Sequence, residues 1–307
     1  MNLRQIEAFR MVMRAGSITA AAQLLRLTQP TISKLIAQLE AQTKLRLFDR
    51  VRKRLTPRPE AHALLQDVEK VLQALENVGR SARHLARGNT GHIRIGAHPS
   101  LGTEFLPKTI ATFLALRPDV RITLNVRESS AVKEWVAMQT ADLGFVSDDS
   151  PDAAGTIAVR FQERPGAVCV LPAGHALGKK AHLRPKHFAD ERIITMGRDP
   201  TFRALIDRAF VEAGVDRKVT VETNHFATAC ALVAEGAGVT VVDPYSALSY
   251  HRHGGVILRP FIPEIDFVVN MIRPANQVAS QIANDFLTHL REQKKTFDKS
   301  LRDALRR

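Results

Sequence analysis

Within residues 29–39, QPTISKLIAQL, the apolar side chains Ile32, Leu35, Ile36 and Leu39 fall at i, i+3, i+4 and i+7, the spacing of one helix face. Pro30 suits the first turn, where its missing N–H costs nothing, and Thr28 just upstream is placed as the N-cap. The stripe leaves Gln29, Thr31, Ser33, Lys34 and Gln38 off the buried face. Residues 19–25 before it are rich in Ala, with Leu24 and Leu25 to bury, and the three-residue gap 26–28 suits the tight turn of a helix-turn-helix. An ordinary amphipathic helical hairpin would explain the periodicity but not the charge around it.

Residues 1–58 hold 12 Lys and Arg against Glu7, Glu40 and Asp49, a net of +9 out of +13 for the chain. Such a concentration is the footprint expected where phosphates are met. In the run Arg50, Arg52, Lys53, Arg54, Arg58, apolar Val51 and Leu55 interrupt the basic residues, which predicts two short strands with a basic edge, a wing able to straddle a groove. These features together read as a binder of double-stranded DNA. Gln29, Pro30, Thr31, Ser33 and Lys34 are placed at the major groove, and Arg50, Arg52 and Lys53 at the backbone or minor groove.

A chain of 307 residues, 45% of them hydrophobic, can build two or three cores. No stretch approaches the 18 or more apolar residues of a membrane span, and the opening MNLRQIEAF lacks the pattern of a signal peptide, so a cytoplasmic, non-membrane protein is expected. Cys169 and Cys230 sit in apolar segments with no Cys-x-x-Cys and read as buried small hydrophobes. No metal-ligand spacing occurs among the 11 His, and no cofactor is expected; His251 and His253, beside Gly254-Gly255, read as a solvated loop. Neither Gly-x-Ser-x-Gly nor a P-loop is present, and Gly236-Ala237-Gly238 precedes its strand where a dinucleotide fingerprint would follow one. Catalytic residues are accordingly not assigned.

Residues 3–15 predict a first helix. From Glu60 to about Arg87 an apolar stripe runs through Ala61, Leu64, Leu65, Val68, Val71, Leu72, Leu75 and Val78, read as a coiled-coil-like helix that makes a homodimer through 60–87. Residues 88–91, GNTG, then mark a linker. Beyond them strands and helices alternate, which implies an α/β domain with parallel sheets and crossover helices. The last predicted helix starts at Val278 and reaches about Gln293; residues 294–307 form a basic tail, read as a partly ordered end or an extension of that helix. The domains are thus 1–58 (winged helix-turn-helix), 59–90 (linker and dimerisation helix) and 91–307.

The opening NLRQIEAFRMVMRAGSITAAA, the segment TQPTISKLIAQLE, LFDRVRKRLTP, and the later LPAGHAL and EGAGVTVVDP resemble the LysR-type transcriptional regulators from end to end. Within that family the chain is most similar to the lysine-biosynthesis activator and the opine-catabolism regulators. The resemblance implies a two-lobed effector domain like the periplasmic binding proteins. It also implies a homotetramer that bends promoter DNA and activates or represses transcription when a small molecule enters the cleft, with RNA polymerase a candidate partner. A transport-type binding protein would share the lobes but would carry a signal peptide and no helix-turn-helix. A DNA-architectural protein would leave the second half of the chain unexplained.

Two lobes need two chain crossings. Lobe I is placed at about 91–162 plus 268–307 and lobe II at about 163–267, with hinges near 163–165 and 263–264. Ligands of open α/β sheets sit beyond strand ends, where helix N-termini present free N–H groups. Those ends hold Ser100 and Leu101, Ser129 and Ser130, Thr201, and Thr223 with Asn224. Their hydroxyls would meet a carboxylate, unless each is simply an N-cap. Glu128 and Asp148 would meet an ammonium, unless they are solvated. An amino acid or amino-acid derivative is the expected effector.

Overall fold

The computed structural model describes residues 1–307 apart from 52, 53, 87–90, 150, 151, 153, 154, 198–201, 276, 278 and 307, and apart from the side chains of 50, 51, 54, 70, 73, 74, 76, 77 and 80–86. It forms two compact units, Met1–Gly88 and Asn89–Arg307.

The first unit opens with helix α1 (Leu3–Ala15), whose start is closed on both sides: Asn2 accepts the Gln5 N–H at 3.0 Å, and the Gln5 side chain accepts the Asn2 N–H at 2.8 Å. Gly16, at φ 69°, takes the left-handed position that ends the helix. Helix α2 (Ile18–Leu25) is capped by Ser17, and α3 (Gln29–Thr43) by Thr28, with Pro30 in its first turn as expected. Strands β1 (Phe48–Val51) and β2 (Arg54–Pro57) pair antiparallel as the predicted hairpin. Helix α4 (Pro59–Ala86) follows. Phe9, Ile32, Ile36, Leu39, Leu47 and Phe48 fill one core.

The α4 stripe divides, although its periodicity suggests one continuous dimer face. Ala61, Val68 and Leu72 are buried in this same core, with Leu64 and Leu65 packed against it, and Glu69 bridges to Arg10 and Arg14 of α1. Val71, Leu75 and Val78 stay 49%, 47% and 65% exposed. The upper stripe is therefore spent on the helix-turn-helix itself.

In the second unit β3 (His92–Ala97), α5 (Pro99–Gly102), α6 (Phe105–Leu116), β4 (Arg121–Val126), α7 (Ser129–Ala137), β5 (Leu143–Val146) and β6 (Ile157–Glu163) build the first lobe. The second lobe comprises β7 (Val168–Pro172), β8 (Arg192–Met196), α8 (Phe202–Glu212), β9 (Lys218–Thr223), α9 (Phe226–Ala234), β10 (Thr240–Val242), α10 (Pro244–His253) and β11 (Val256–Pro260). Strand β12 (Val269–Pro274) returns to the first lobe and α11 (Gln281–Arg306) closes the chain.

The sheets are not parallel as the alternation suggested: the five-stranded one is mixed and the three-stranded one is antiparallel in every pair. One has the order β4-β3-β5-β12-β6 and the other β10-β7-β11, with the pair β8-β9 bridged to it through Ile193 and Val239. Pairs β3–β4, β3–β5 and β8–β9 are parallel, whereas β12 runs antiparallel to β5 and β6, and β10 and β11 antiparallel to β7. The cause is the double crossing. A strand that leaves a lobe and the strand that returns to it lie side by side with opposite directions. Gly238 shows how closely β8 is approached, since a Cβ there would lie 2.3 Å from the Arg192 carbonyl oxygen. Gly238 of the Gly-Ala-Gly run is thus explained by packing, and Gly236 by its left-handed backbone at φ 77°.

The basic tail is no loose end. Helix α11 continues to Arg306, about 39 Å in all at 1.5 Å per residue. Its first half packs on α6, with Phe286 5.3 Å from Phe113. Its second half reaches the other lobe, where Phe297 stacks on Tyr245 at 4.6 Å while still meeting Phe105 of the first lobe at 5.4 Å. Placing all of 268–307 with the first lobe misses that. His251 and His253 also lie in the last turn of α10, hydrogen-bonded to the carbonyls of Val256 and Ser249, and not in a solvated loop.

Candidate functional site

In the first unit the predicted reading surface is the N-terminal end of α3. Gln29, Pro30, Thr31 and Lys34 are exposed and Ser33 is half-buried, while Ile32, Ile36 and Leu39 face the core. Thr28 and Thr31 hydroxyls lie 2.7 Å apart, which orders the first turn. Arg50 is on β1, but its side chain, and Arg52 and Lys53 altogether, lie outside the described residues.

In the second unit the two crossings run past each other. Ala167 donates its N–H to the Ile265 carbonyl and Phe267 to the Pro165 carbonyl, both at 2.8 Å. Beside them is a cavity of about 570 Å³, lined by the end of β5 (Ser147, Asp148, Asp149), Arg164 of the first crossing, α8 (Phe202, Leu205, Arg208, Ala209, Glu212) and residues 263–268 of the second. The volume fits a small molecule. Arg164 reaches Asp149 at 2.6 Å and Asp266 at 3.8 Å. Asp149 also accepts from Gln162 at 3.0 Å and Asn270 at 3.3 Å.

The expected ligand residues do not all meet at this cavity. Asp148 lines it, but its carboxylate is held by Lys133. The Ser129 hydroxyl accepts the Ser147 N–H at 2.9 Å, tying the start of α7 to the end of β5, and Ser130 is exposed next to it. Thr223 is half-buried and accepts the His225 N–H at 3.4 Å; Asn224 is exposed. Leu101 is a core residue at 1% exposure. Thr201 lies outside the described residues. Sequence reasoning missed Asp149, Arg164 and Asp266, because only the pairing of the two crossings brings them together.

Ser100 is 3% exposed and packs where the first lobe meets the N-terminus of α10. Its hydroxyl makes no bond of good geometry, yet it lies close enough to Asp243 to favour that carboxylate. Asp243 is fully buried and caps α10, accepting from Tyr245 and Ser246 N–H at 2.9 Å each. The pair Asp243-Pro244 was the legible signal for this helix, being an N-cap followed by Pro in the first turn. Nearby, Arg252 bonds Glu104 at 2.5 Å across the lobes; burial alone would raise Glu104, but Ser249 and Arg252 outweigh it and hold the carboxyl below its ordinary value. Burial pushes the thiols of Cys169 and Cys230 well up, which suits inert packing.

Two family models match the chain: "Bacterial regulatory helix-turn-helix protein, lysR family" over residues 3–62 and "LysR substrate binding domain" over residues 86–295. The chain is 37% identical to "Transcriptional activator protein LysR" of Escherichia coli (strain K12), covering 94% of this chain and 92% of that one. It is 36% identical to "Octopine catabolism/uptake operon regulatory protein OccR" of Rhizobium meliloti, covering 94% of each. Full-length CbnR complexed with its target DNA superposes with a TM-score of 0.70 at 22% identity, covering 95% of this chain and 100% of that one. Among the described residues no helix is long and apolar enough to cross a membrane.

Burial raises the Asp243 carboxyl, and its Ser246, Ser100 and Tyr245 donors offset this only in part. A carboxyl held above its ordinary value of 3.8 keeps its proton longer in the folded chain than in the unfolded one. The stability this supplies is fully present below the ordinary value and is lost as the pH rises through the folded one. Asp243→Asn keeps the capping oxygen and cannot ionise. Its stability relative to the parent chain, measured by urea unfolding, should therefore rise with pH from about 4 upward; a difference that stays flat or falls would refute the assignment.

Proposed function

The chain belongs to the LysR family of DNA-binding transcriptional regulators, and on that premise we propose that the signal it reads is an amino acid or amino-acid derivative carrying an extra cationic group. The observation that carries this reading is the lining of the 570 Å³ cavity, where Asp148 is paired with Lys133 and Glu212 with Arg208, and the remaining acids Asp149, Glu264 and Asp266 outnumber Arg164. An acid-rich pocket favours a cation by charge alone, and Arg164 between Asp149 and Asp266 already shows a guanidinium accommodated there. The ligand carboxylate is assigned to the start of α7, where Ser129 and Ser130 stand at the helix N-terminus. A relative named for octopine catabolism is consistent with such a ligand class.

Isothermal calorimetry of the full chain with lysine, ornithine, arginine and their opine conjugates tests this. One of them should bind, and at about 100 times its dissociation constant it should stabilise the folded chain by about 2.7 kcal/mol. Asp149→Asn should weaken it by about 1.5–3 kcal/mol, the range for a hydrogen bond to a charged group. Binding of an aromatic acid or an uncharged sugar, with no amino acid bound, would be incompatible with the proposal.

For DNA, we propose that the exposed end of α3 enters the major groove through Gln29, Thr31, Ser33 and Lys34, with Arg50, Arg52 and Lys53 meeting the backbone or minor groove. Lys34→Ala should weaken promoter binding in gel shifts, and each wing Lys or Arg removed from a phosphate should lower the salt slope by about 0.9. If both affinity and slope stay at parental values, the surface has been misplaced.

The chain is further proposed to dimerise through α4, and to form a tetramer as a pair of such dimers. Val71, Leu75 and Val78, at i, i+4 and i+7, are the stripe's exposed remainder, so they and not Leu65 or Leu72 form the interface. Val71→Asp with Leu75→Asp should lower the mass seen in analytical ultracentrifugation by at least half and abolish binding to a two-half-site operator. A double variant of unchanged mass would place the interface elsewhere.

A further inference from the structure

Glu40 stands in the last turn of α3, one of three acids in a segment of net charge +9. Both of its local effects are unfavourable. A carboxylate there faces the negative end of the helix dipole, and it repels the phosphates that the surrounding basic residues attract. What it supplies is structural. A single oxygen, Oε1, accepts the N–H of Leu47 at 2.7 Å and that of Phe48 at 3.2 Å.

Those two amides open the hairpin. Leu47 is fully buried, Phe48 begins β1 and its ring packs edge-on against Phe9 at 5.9 Å. The Leu47 carbonyl in turn accepts the Arg58 N–H at 2.9 Å, so both ends of the hairpin meet at the residue that Glu40 holds. Asp49 adds a second tie, lying 3.4 Å from Arg46 and 3.6 Å from Arg58. Two hydrogen bonds from neighbouring amides to one ionised oxygen fix a direction as well as a distance.

We propose that Glu40 is a positioning residue for DNA binding: its carboxylate fixes the hairpin to the recognition helix, so that wing cations and helix side chains meet one duplex in register. The inference rests on the hairpin acting as the wing. It goes beyond that reading by assigning a function to an acid whose charge opposes DNA.

The sign of the effect tests it. Binding of the full chain to a mixed-sequence DNA duplex is measured over a salt series for Glu40→Met, which keeps the helix and loses the acceptor, and for Glu40→Gln, which keeps an acceptor oxygen and loses the charge. Simple electrostatics predicts tighter binding for both. Positioning predicts about tenfold weaker binding for Glu40→Met, with a salt slope lower by about 0.9 for each phosphate the wing no longer reaches. For Glu40→Gln it predicts the parental slope with equal or tighter binding. Amide exchange of Leu47 and Phe48 should accelerate in Glu40→Met and stay slow in Glu40→Gln. Tighter binding by Glu40→Met at parental slope overturns the proposal. Should that variant fail to fold, Glu40→Gln decides alone: a lowered slope there overturns it, and a parental slope with slow amides supports it. Lys53→Ala reports on the hairpin separately, since an unchanged slope in that variant removes the wing reading and this inference with it.

Discussion

The effector unit depends on two stretches of backbone that pass each other once between the lobes. Their paired hydrogen bonds, Ala167 to Ile265 and Phe267 to Pro165, set the direction of every strand next to the crossing. They also explain why β12 runs antiparallel to β6 and β11 antiparallel to β7. The same pairing carries Arg164 and Asp266 to the cavity wall and turns Phe267 inward, where it meets Phe202 at 5.4 Å, Phe226 at 5.8 Å and His98 at 6.3 Å. Each aromatic pair adds about 0.5–1.5 kcal/mol beyond its buried area. The wall of the candidate ligand site is thus built from the segment that joins the lobes.

The amino-terminal unit was legible because its signals are local. Caps at Thr28 and Ser17, Pro30 in the first turn, the four-residue apolar stripe of α3 and the basic hairpin all act within a few residues of themselves. The effector unit was legible in outline only. Strands β6, β8 and β11 carry weak alternation or short apolar runs, and α10 is a polar-rich helix announced only by Asp243-Pro244 and ended by Gly254. What the residues at strand ends do could not be read at all, because it depends on the facing lobe. Ser100 looks like a ligand hydroxyl in isolation and proves to be packed beside Asp243.

Acids illustrate the same point. Glu40 and Asp148 are partly buried and Asp243 wholly so. Each is engaged by the chain itself, through backbone amides, Lys133 or a helix start. A carboxylate counted from sequence as available charge is available only if no N–H or ammonium of the fold reaches it first. Asp149 and Asp266 differ, since their side chains stay 40% and 45% exposed while sharing Arg164.

Helix α11 belongs to both lobes at once. Its start packs on α6, and its end supplies Phe297 to a ring stack with Tyr245 of the second lobe, while Lys294 reaches Glu163 of the first at 2.9 Å. The family domain ends at residue 295 while the helix runs on to Arg306, and in that overhang Phe297 and Ala304 are each only 5% exposed. The second lobe is therefore not a portable module. Its interior is completed by residues at the far end of the chain, so exchanging that lobe between relatives means exchanging about the last three turns of α11 with it.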